Sequence, residues 1–169
     1  LDEAELRAVF RSVGEGLVIA DLAGQVLAMN AAALELLGDE SEGQAHRHFS
    51  EFATAFSLTD LDDRPIPLEE WPMSRVLRGE RFANYEARLR HLQSGKTWIG
   101  SYSGSLARGA DGEPLVAILT VQDVTARHEA AQERERLVEK LRAFAEELEA
   151  QNEKLIDARR ALEAERRRY

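Results

Sequence analysis

Apolar residues recur at Leu6, Val9, Phe10 and Val13, the i, i+3, i+4, i+7 spacing of one helix face. Asp2 and Glu5 form a capping box before them and Gly14 a stop after them, so residues 1–14 are predicted to form an amphipathic helix. The period then changes. Leu17 to Ala20 and Val26 to Met29 flank a turn at Asp21-Leu22-Ala23-Gly24, which predicts two strands in a hairpin. Asn30 is placed to cap a helix from Ala31 to Leu37 that stops at Gly38. Residues 39–66 carry few periodic signals, although Phe49, Phe52 and Phe56 are spaced to share one helical stripe. Pro65 and Pro67 break any helix or strand there; after Trp71-Pro72, Met73, Val76 and Leu77 lie on one helical face that Gly79 ends.

Three longer strands are predicted next, Phe82 to Leu92, Thr97 to Leu106 and Leu115 to Gln122. Their short Gly-containing connections make them an antiparallel meander. The last is apolar on both faces and therefore central. Helices gathered between the second and third of five strands give an α+β fold: a five-stranded antiparallel sheet with short helices on one face.

Beyond Asp123 the pattern changes again, to a 4-3 repeat through Leu137, Leu141, Phe144, Leu148, Gln151, Leu155, Ala158 and Leu162. So narrow a seam on so charged a helix calls for a second copy of itself, and a parallel homodimeric coiled coil is expected. Leu at the a positions, with Gln151 and Ala158 at d, weakens the dimer signal. A solvated single helix and an antiparallel or four-helix arrangement stay open as alternatives. The expected organisation is thus an N-terminal helix over 1–14, a globular domain over 15–123 and a coiled-coil helix over 124–169.

Composition supports that division. Residues 124–169 hold 11 basic and 11 acidic side chains with no Gly or Pro, whereas all 11 Gly, all 4 Pro and both Trp fall before them. The chain of 169 residues has a formal net charge of -9 and no dense basic stripe, which argues against a nucleic-acid partner. The absence of cysteine excludes disulfides, thiolate metal sites and cysteinyl-flavin photochemistry, and suits a reducing compartment. No apolar run approaches the roughly 18 residues of a membrane span. With Leu1 first and no signal peptide, the sequence is expected to be a cytoplasmic, soluble piece of a longer protein, without membrane contact of its own.

Catalytic chemistry is not evident. Gly95-Lys96-Thr97 matches the end of a phosphate-binding loop, but Arg90 stands where its first Gly belongs, and the segment joins two strands. His46 and His48 are the residues to which a metal or haem would be assigned; at i, i+2 they face together only in an extended chain, so surface histidines are the preferred reading and no metal site is assigned. Trp71, Trp98 and Tyr102 are the large residues placed to line a cavity, with Phe49 and Phe56 behind them. Trp98, Gly100, Tyr102, Gly104 and Leu106 share one strand face, where the two glycines leave gaps that a ligand or a packed helix would fill.

The series Gly14-Glu15-Gly16-Leu17-Val18-Ile19-Ala20-Asp21, Gly24-Gln25-Val26, Asn30-Ala31-Ala32-Ala33, Gly79-Glu80 after Trp71-Pro72, Gly95-Lys96-Thr97-Trp98, Asp111-Gly112 and Asp123-Val124-Thr125 resembles a PAS domain with a signalling helix. It spans about 125 residues in family order. The resemblance implies a five-stranded sheet whose concave face and middle helices can enclose a ligand, with Asp123 and Thr125 at the junction that relays signals into the helix. It also admits haem on a middle-region histidine, as the less favoured alternative to no cofactor. Residues 162–169 are similar to the lead into another PAS domain, so adjacent PAS or output domains are expected partners in the full-length chain. The implied function is a non-catalytic sensory and dimerisation module of a bacterial two-component sensor histidine kinase. A ligand-free structural spacer, or the PAS module of a diguanylate cyclase, is the alternative.

Overall fold

The computed structural model describes residues 2–38 and 47–168. They divide into two units, Leu1–Thr125 and Ala126–Tyr169. That boundary falls two residues past the one expected from composition, because Val124 and Thr125 are hydrogen-bonded back to the sheet.

Helix α1 spans Glu3–Ser12 and opens with the expected capping box: Glu5 N–H donates to Asp2 Oδ1 (2.7 Å) and Asp2 N–H donates to Glu5 Oε2 (2.9 Å). It ends at Val13, one residue before Gly14. Val9 is exposed and Phe10 half-buried; the side chain of Leu6 lies outside the described residues. Strands β1 (Gly16–Ala20) and β2 (Val26–Met29) form the predicted hairpin, its turn held by Ala23 and Gln25 N–H groups on Asp21 Oδ1. Helix α2 (Ala31–Leu37) stops at Gly38, whose φ of 73° is the left-handed conformation that glycine adopts without strain.

Asn30 does more than cap α2. Its Oδ1 accepts from Ala33 N–H (2.9 Å) and Leu17 N–H (2.8 Å), and its Nδ2 donates to the carbonyls of Glu15 (2.8 Å) and Val13 (3.3 Å). At 1% exposure it is a buried polar side chain with its hydrogen bonds made, and it stitches α2 to the start of β1.

A 3₁₀ turn at Phe49–Glu51 leads through α3 (Phe52–Ala55) into β3 (Phe56–Thr59); a second at Leu68–Glu70 precedes α4 (Pro72–Leu77). Pro72 starts α4, where a missing N–H costs nothing. Strands β4 (Phe82–His91), β5 (Thr97–Arg108) and β6 (Pro114–Asp123) form the meander. Among the described residues the sheet has six antiparallel strands in the order β2-β1-β6-β5-β4-β3, not five. The additional strand is β3, paired to β4 through Phe56↔His91 and Leu58↔Leu89. Phe56 therefore leaves the expected helical stripe: it is buried at the head of a strand only four residues long. Strand β6 sits between β1 and β5, consistent with its apolar run.

One sheet face is covered. Helix α2 packs on β1, and α4 packs on β5 and β6. The buried core includes Phe56, Leu58, Met73, Val76, Leu89, Trp98, Tyr102, Leu119 and Val121. Full burial of such side chains contributes about 1.5–3 kcal/mol each.

Helix α5 runs from Thr125 to Arg166 over 42 residues with no buried side chain. Along it Leu137, Leu141, Phe144, Leu148, Leu155 and Leu162 are 49–68% exposed, which is high for large apolar groups. Among the described residues no helix is long and apolar enough to cross a membrane.

Candidate functional site

The covered face of the sheet does not close completely. A cavity of about 100 Å³ remains between β1, β5 and β6 on one side and α2, α3 and α4 on the other. Phe49, Phe56, Trp71, Trp98 and Tyr102 all line it, so the structure brings together the five aromatic residues singled out from the sequence. Val26, Met29, Leu37, Phe52 and Met73 complete much of the wall. Their sequence signal is that of ordinary core residues, so pattern alone does not mark them as cavity-lining. A second, more polar cavity of about 80 Å³ shares Met29, Leu37, Phe52 and Phe56 with the first and adds Arg47, Glu51 and His91.

The two glycines of β5 are used differently. A Cβ on Gly104 would stand 2.4 Å from Val76 Cγ2, so that gap is filled by α4. A Cβ on Gly100 would meet Trp98 Cζ3 and Tyr102 Cζ at 2.8 Å, so the two rings fold over this residue from either side. Helix packing therefore takes one gap and the cavity-lining aromatics the other.

Trp71 Nε1 donates to the Ile66 carbonyl at 2.9 Å. Tyr102 is 6% exposed, and burial together with nearby Tyr85 pushes its phenol well above the usual value, so it stays a neutral O–H group. At the start of β4 the Arg75 guanidinium of α4 lies 4.6 Å from the Phe82 ring centre and 4.8 Å from that of Tyr85. Its Nε donates to Glu80 Oε2 (2.8 Å), whose other oxygen accepts from Arg78 Nη2 (2.8 Å). Those two hydrogen bonds hold the Glu80 carboxyl below its usual range and tie the turn that follows α4 back to that helix.

His48 stands at the N-terminus of the first 3₁₀ turn. Its Nε2 lies 2.8 Å from the Ala23 carbonyl, which can only accept, so Nε2 carries the proton, and Nδ1 accepts from Ser50 N–H. Both ring nitrogens are thus engaged in local structure. His46 lies outside the described residues.

The junction residues form one chain of hydrogen bonds. Ile99 N–H donates to Thr125 Oγ1 (2.8 Å), Thr125 O–H donates to Asp123 Oδ1 (2.6 Å), and Val124 N–H donates to the Ile99 carbonyl (2.9 Å). Ile99 lies between Trp98 and Gly100 in β5, with its side chain on the face opposite the cavity. Sequence reading missed it because it contributes only its backbone N–H and C=O, which any residue type carries.

No curated protein sequence matches the chain. Among solved structures it is similar to an RNA-binding light-oxygen-voltage receptor (19% identity, TM-score 0.57), covering 80% of this chain but 37% of that one. It is also similar to a PAS domain from Colwellia psychrerythraea (20% identity, TM-score 0.52, 74% and 99% covered). The PAS domain of Bordetella pertussis BvgS is a third (17% identity, TM-score 0.51, 82% and 99% covered). At these identities the likeness is one of fold. The family model described as PAS fold matches residues 10–129, and with that span of sequence in this topology the chain belongs to the PAS fold family.

Proposed function

We propose that this PAS domain is the non-catalytic sensory and dimerisation module of a cytoplasmic bacterial signalling protein, a sensor histidine kinase of a two-component system. It converts occupancy of the apolar cavity into repacking of a parallel coiled coil made by α5 of two copies. The observation that carries the reading is the position of Ile99. Its neighbour Trp98 lines the cavity, while its own backbone N–H and C=O hold Thr125 and Val124. A shift of β5 at Trp98 therefore moves, one residue away, the groups that start α5.

A structural spacer is favoured by one feature, the filling of the Gly104 gap by Val76, which leaves only a modest cavity. A diguanylate cyclase output would use the same relay. The core is proposed to carry no haem, since His48 is committed to Ala23 and Ser50; a Soret band in natively purified protein, lost on His48→Ala or His46→Ala, would overturn this. The relay is tested in the full-length protein with Thr125→Val, which removes the acceptor for Ile99 N–H. Signal-dependent output should be lost while the dimer persists; a wild-type response would leave the spacer reading standing.

A further inference from the structure

The cavity against Trp98 and Tyr102 is defined by what its surface lacks. Among the described residues its wall contains no Lys, Arg, His, Asp or Glu, and no Ser, Thr, Asn or Gln. Trp71, Trp98 and Tyr102 each carry a polar atom, but those atoms add almost nothing to the surface, which is apolar nearly throughout. The Trp71 indole N–H is spent on the Ile66 carbonyl.

Such a wall selects by exclusion. A charge or a hydroxyl that enters gives up its hydrogen bonds to water and meets no partner in return. Water is disfavoured on the same ground, since it needs two or more polar neighbours to be held in a cavity. The volume sets the second limit: about 100 Å³ is of the order of the apolar cavity of roughly 150 Å³ that holds benzene. A single ring fits; a dinucleotide or a fused flavin does not. The neighbouring cavity supplies the contrast, because Arg47, Glu51 and His91 lie on its wall and could pair a polar group there.

Taking the apolar cavity as the sensory site proposed above, we infer that its ligand is a neutral, wholly apolar molecule about one ring in size, with no group that donates or accepts hydrogen bonds. It is recognised by fit against Phe and Met side chains and by release of its own surface from water.

The test uses three probes on the native domain: toluene; phenol, which replaces the methyl group by a hydroxyl; and benzoate, which replaces it by a carboxylate. The chain has only two methionines, and both lie on the cavity wall. Met29 also borders the second cavity, whereas Met73 borders only the first of the two. Spectra of protein labelled at the methionine methyls therefore give two signals, which the volume-conserving variant Met73→Leu assigns. The ring current of a bound probe shifts the methyl it lies against. Toluene should shift both signals saturably, phenol should bind at least about fivefold more weakly, and benzoate should leave Met73 in place. Phenol bound within fivefold of toluene, or a benzoate that shifts Met73, overturns the ligand class and leaves the cavity as a site. A toluene shift at Met29 without one at Met73 puts the probe in the second cavity and also overturns it. No binding of any probe to well-folded protein, up to the solubility of each, overturns both the ligand class and the sensory reading. The wild-type shift pattern decides the question even should Met73→Leu fold poorly.

Discussion

Thr125 is joined twice to Asp123: its N–H and its hydroxyl lie 2.9 and 2.6 Å from the same carboxylate oxygen, Oδ1. One of these bonds satisfies an orphan donor of the first turn of α5; the other orients the hydroxyl so that its free lone pair faces Ile99 N–H. Thr125→Val should destabilise the domain by about 1–3 kcal/mol, because a buried N–H loses its acceptor, whereas Asp123→Ala should cost about 1 kcal/mol. Urea denaturation of the two variants checks the order. In full-length protein Asp123→Ala should uncouple output from input with the dimer intact, since it releases the hydroxyl without removing it.

Asn30 concentrates more hydrogen bonding than a cap requires. Asn30→Ala removes an N-cap and the partners of Leu17 N–H and the Glu15 carbonyl together, and should cost about 2–4 kcal/mol. Asn30→Asp keeps the acceptor but sets a carboxylate against the Glu15 and Val13 carbonyls, and should recover only part. Thermal unfolding separates the three proteins; a loss of only about 1 kcal/mol for the alanine variant would mean that the cap alone matters.

The glycines of β5 predict opposite balances of stability and binding. Gly104→Ala drives a Cβ into Val76 and should cost about 1–3 kcal/mol, with partial rescue by Val76→Ala in a double-mutant cycle. The three atoms nearest to a Cβ on Gly100 are ring atoms of Trp98 and Tyr102. The effect of Gly100→Ala should be to push Trp98 and Tyr102 into the cavity and raise the Kd of a ring-sized probe at least tenfold, with a smaller loss of stability.

Elements with a strong period or a specific capping residue were legible in sequence. The capping box of α1, the Asn30 and Gly38 ends of α2 and the three-strand meander lie where the pattern puts them. Strand β3 was not, because Phe56 to Thr59 shows only two inward positions, and Phe49 and Phe52 before it suggest a different period. The aromatic residues of the cavity could be chosen for size and strand face. The wall contributed by Met29, Phe52 and Met73 could not, since it depends on how three short helices settle on the sheet. Ile99 was invisible for a different reason: its contribution is made by the backbone.

The exposed seam of α5 predicts self-association. Leu141 and Leu155 are 67% and 68% exposed, two heptads apart on one stripe. Leu141→Asp with Leu155→Asp would bury unpaired carboxylates at a coiled-coil interface and should give monomers by light scattering with the sheet signal retained. A dimer that survives both substitutions would place the interface on the PAS domain and α1.

Whether α5 transmits or merely tethers is decided by phase. One residue inserted in a helix turns everything beyond it by about 100° and lengthens it by about 1.5 Å, whereas seven residues nearly restore the face. The seam runs without a break from Leu137 through Leu141, Phe144 and Leu148, so an insertion between Ala145 and Glu147 separates two seam segments without removing either. A one-residue insertion sets the downstream stripe off the partner helix and should disturb output in the full-length protein. A seven-residue insertion adds about 10 Å yet keeps the stripe aligned, and should preserve regulation. A rigid pair of helices transmits rotation or tilt and resists stretching, so output must follow phase and not length. Output that declines smoothly with insertion length, with no seven-residue rhythm, would make α5 a passive spacer, and the hydrogen bonds from Ile99 to Thr125 and Val124 would then serve only to anchor its first turn.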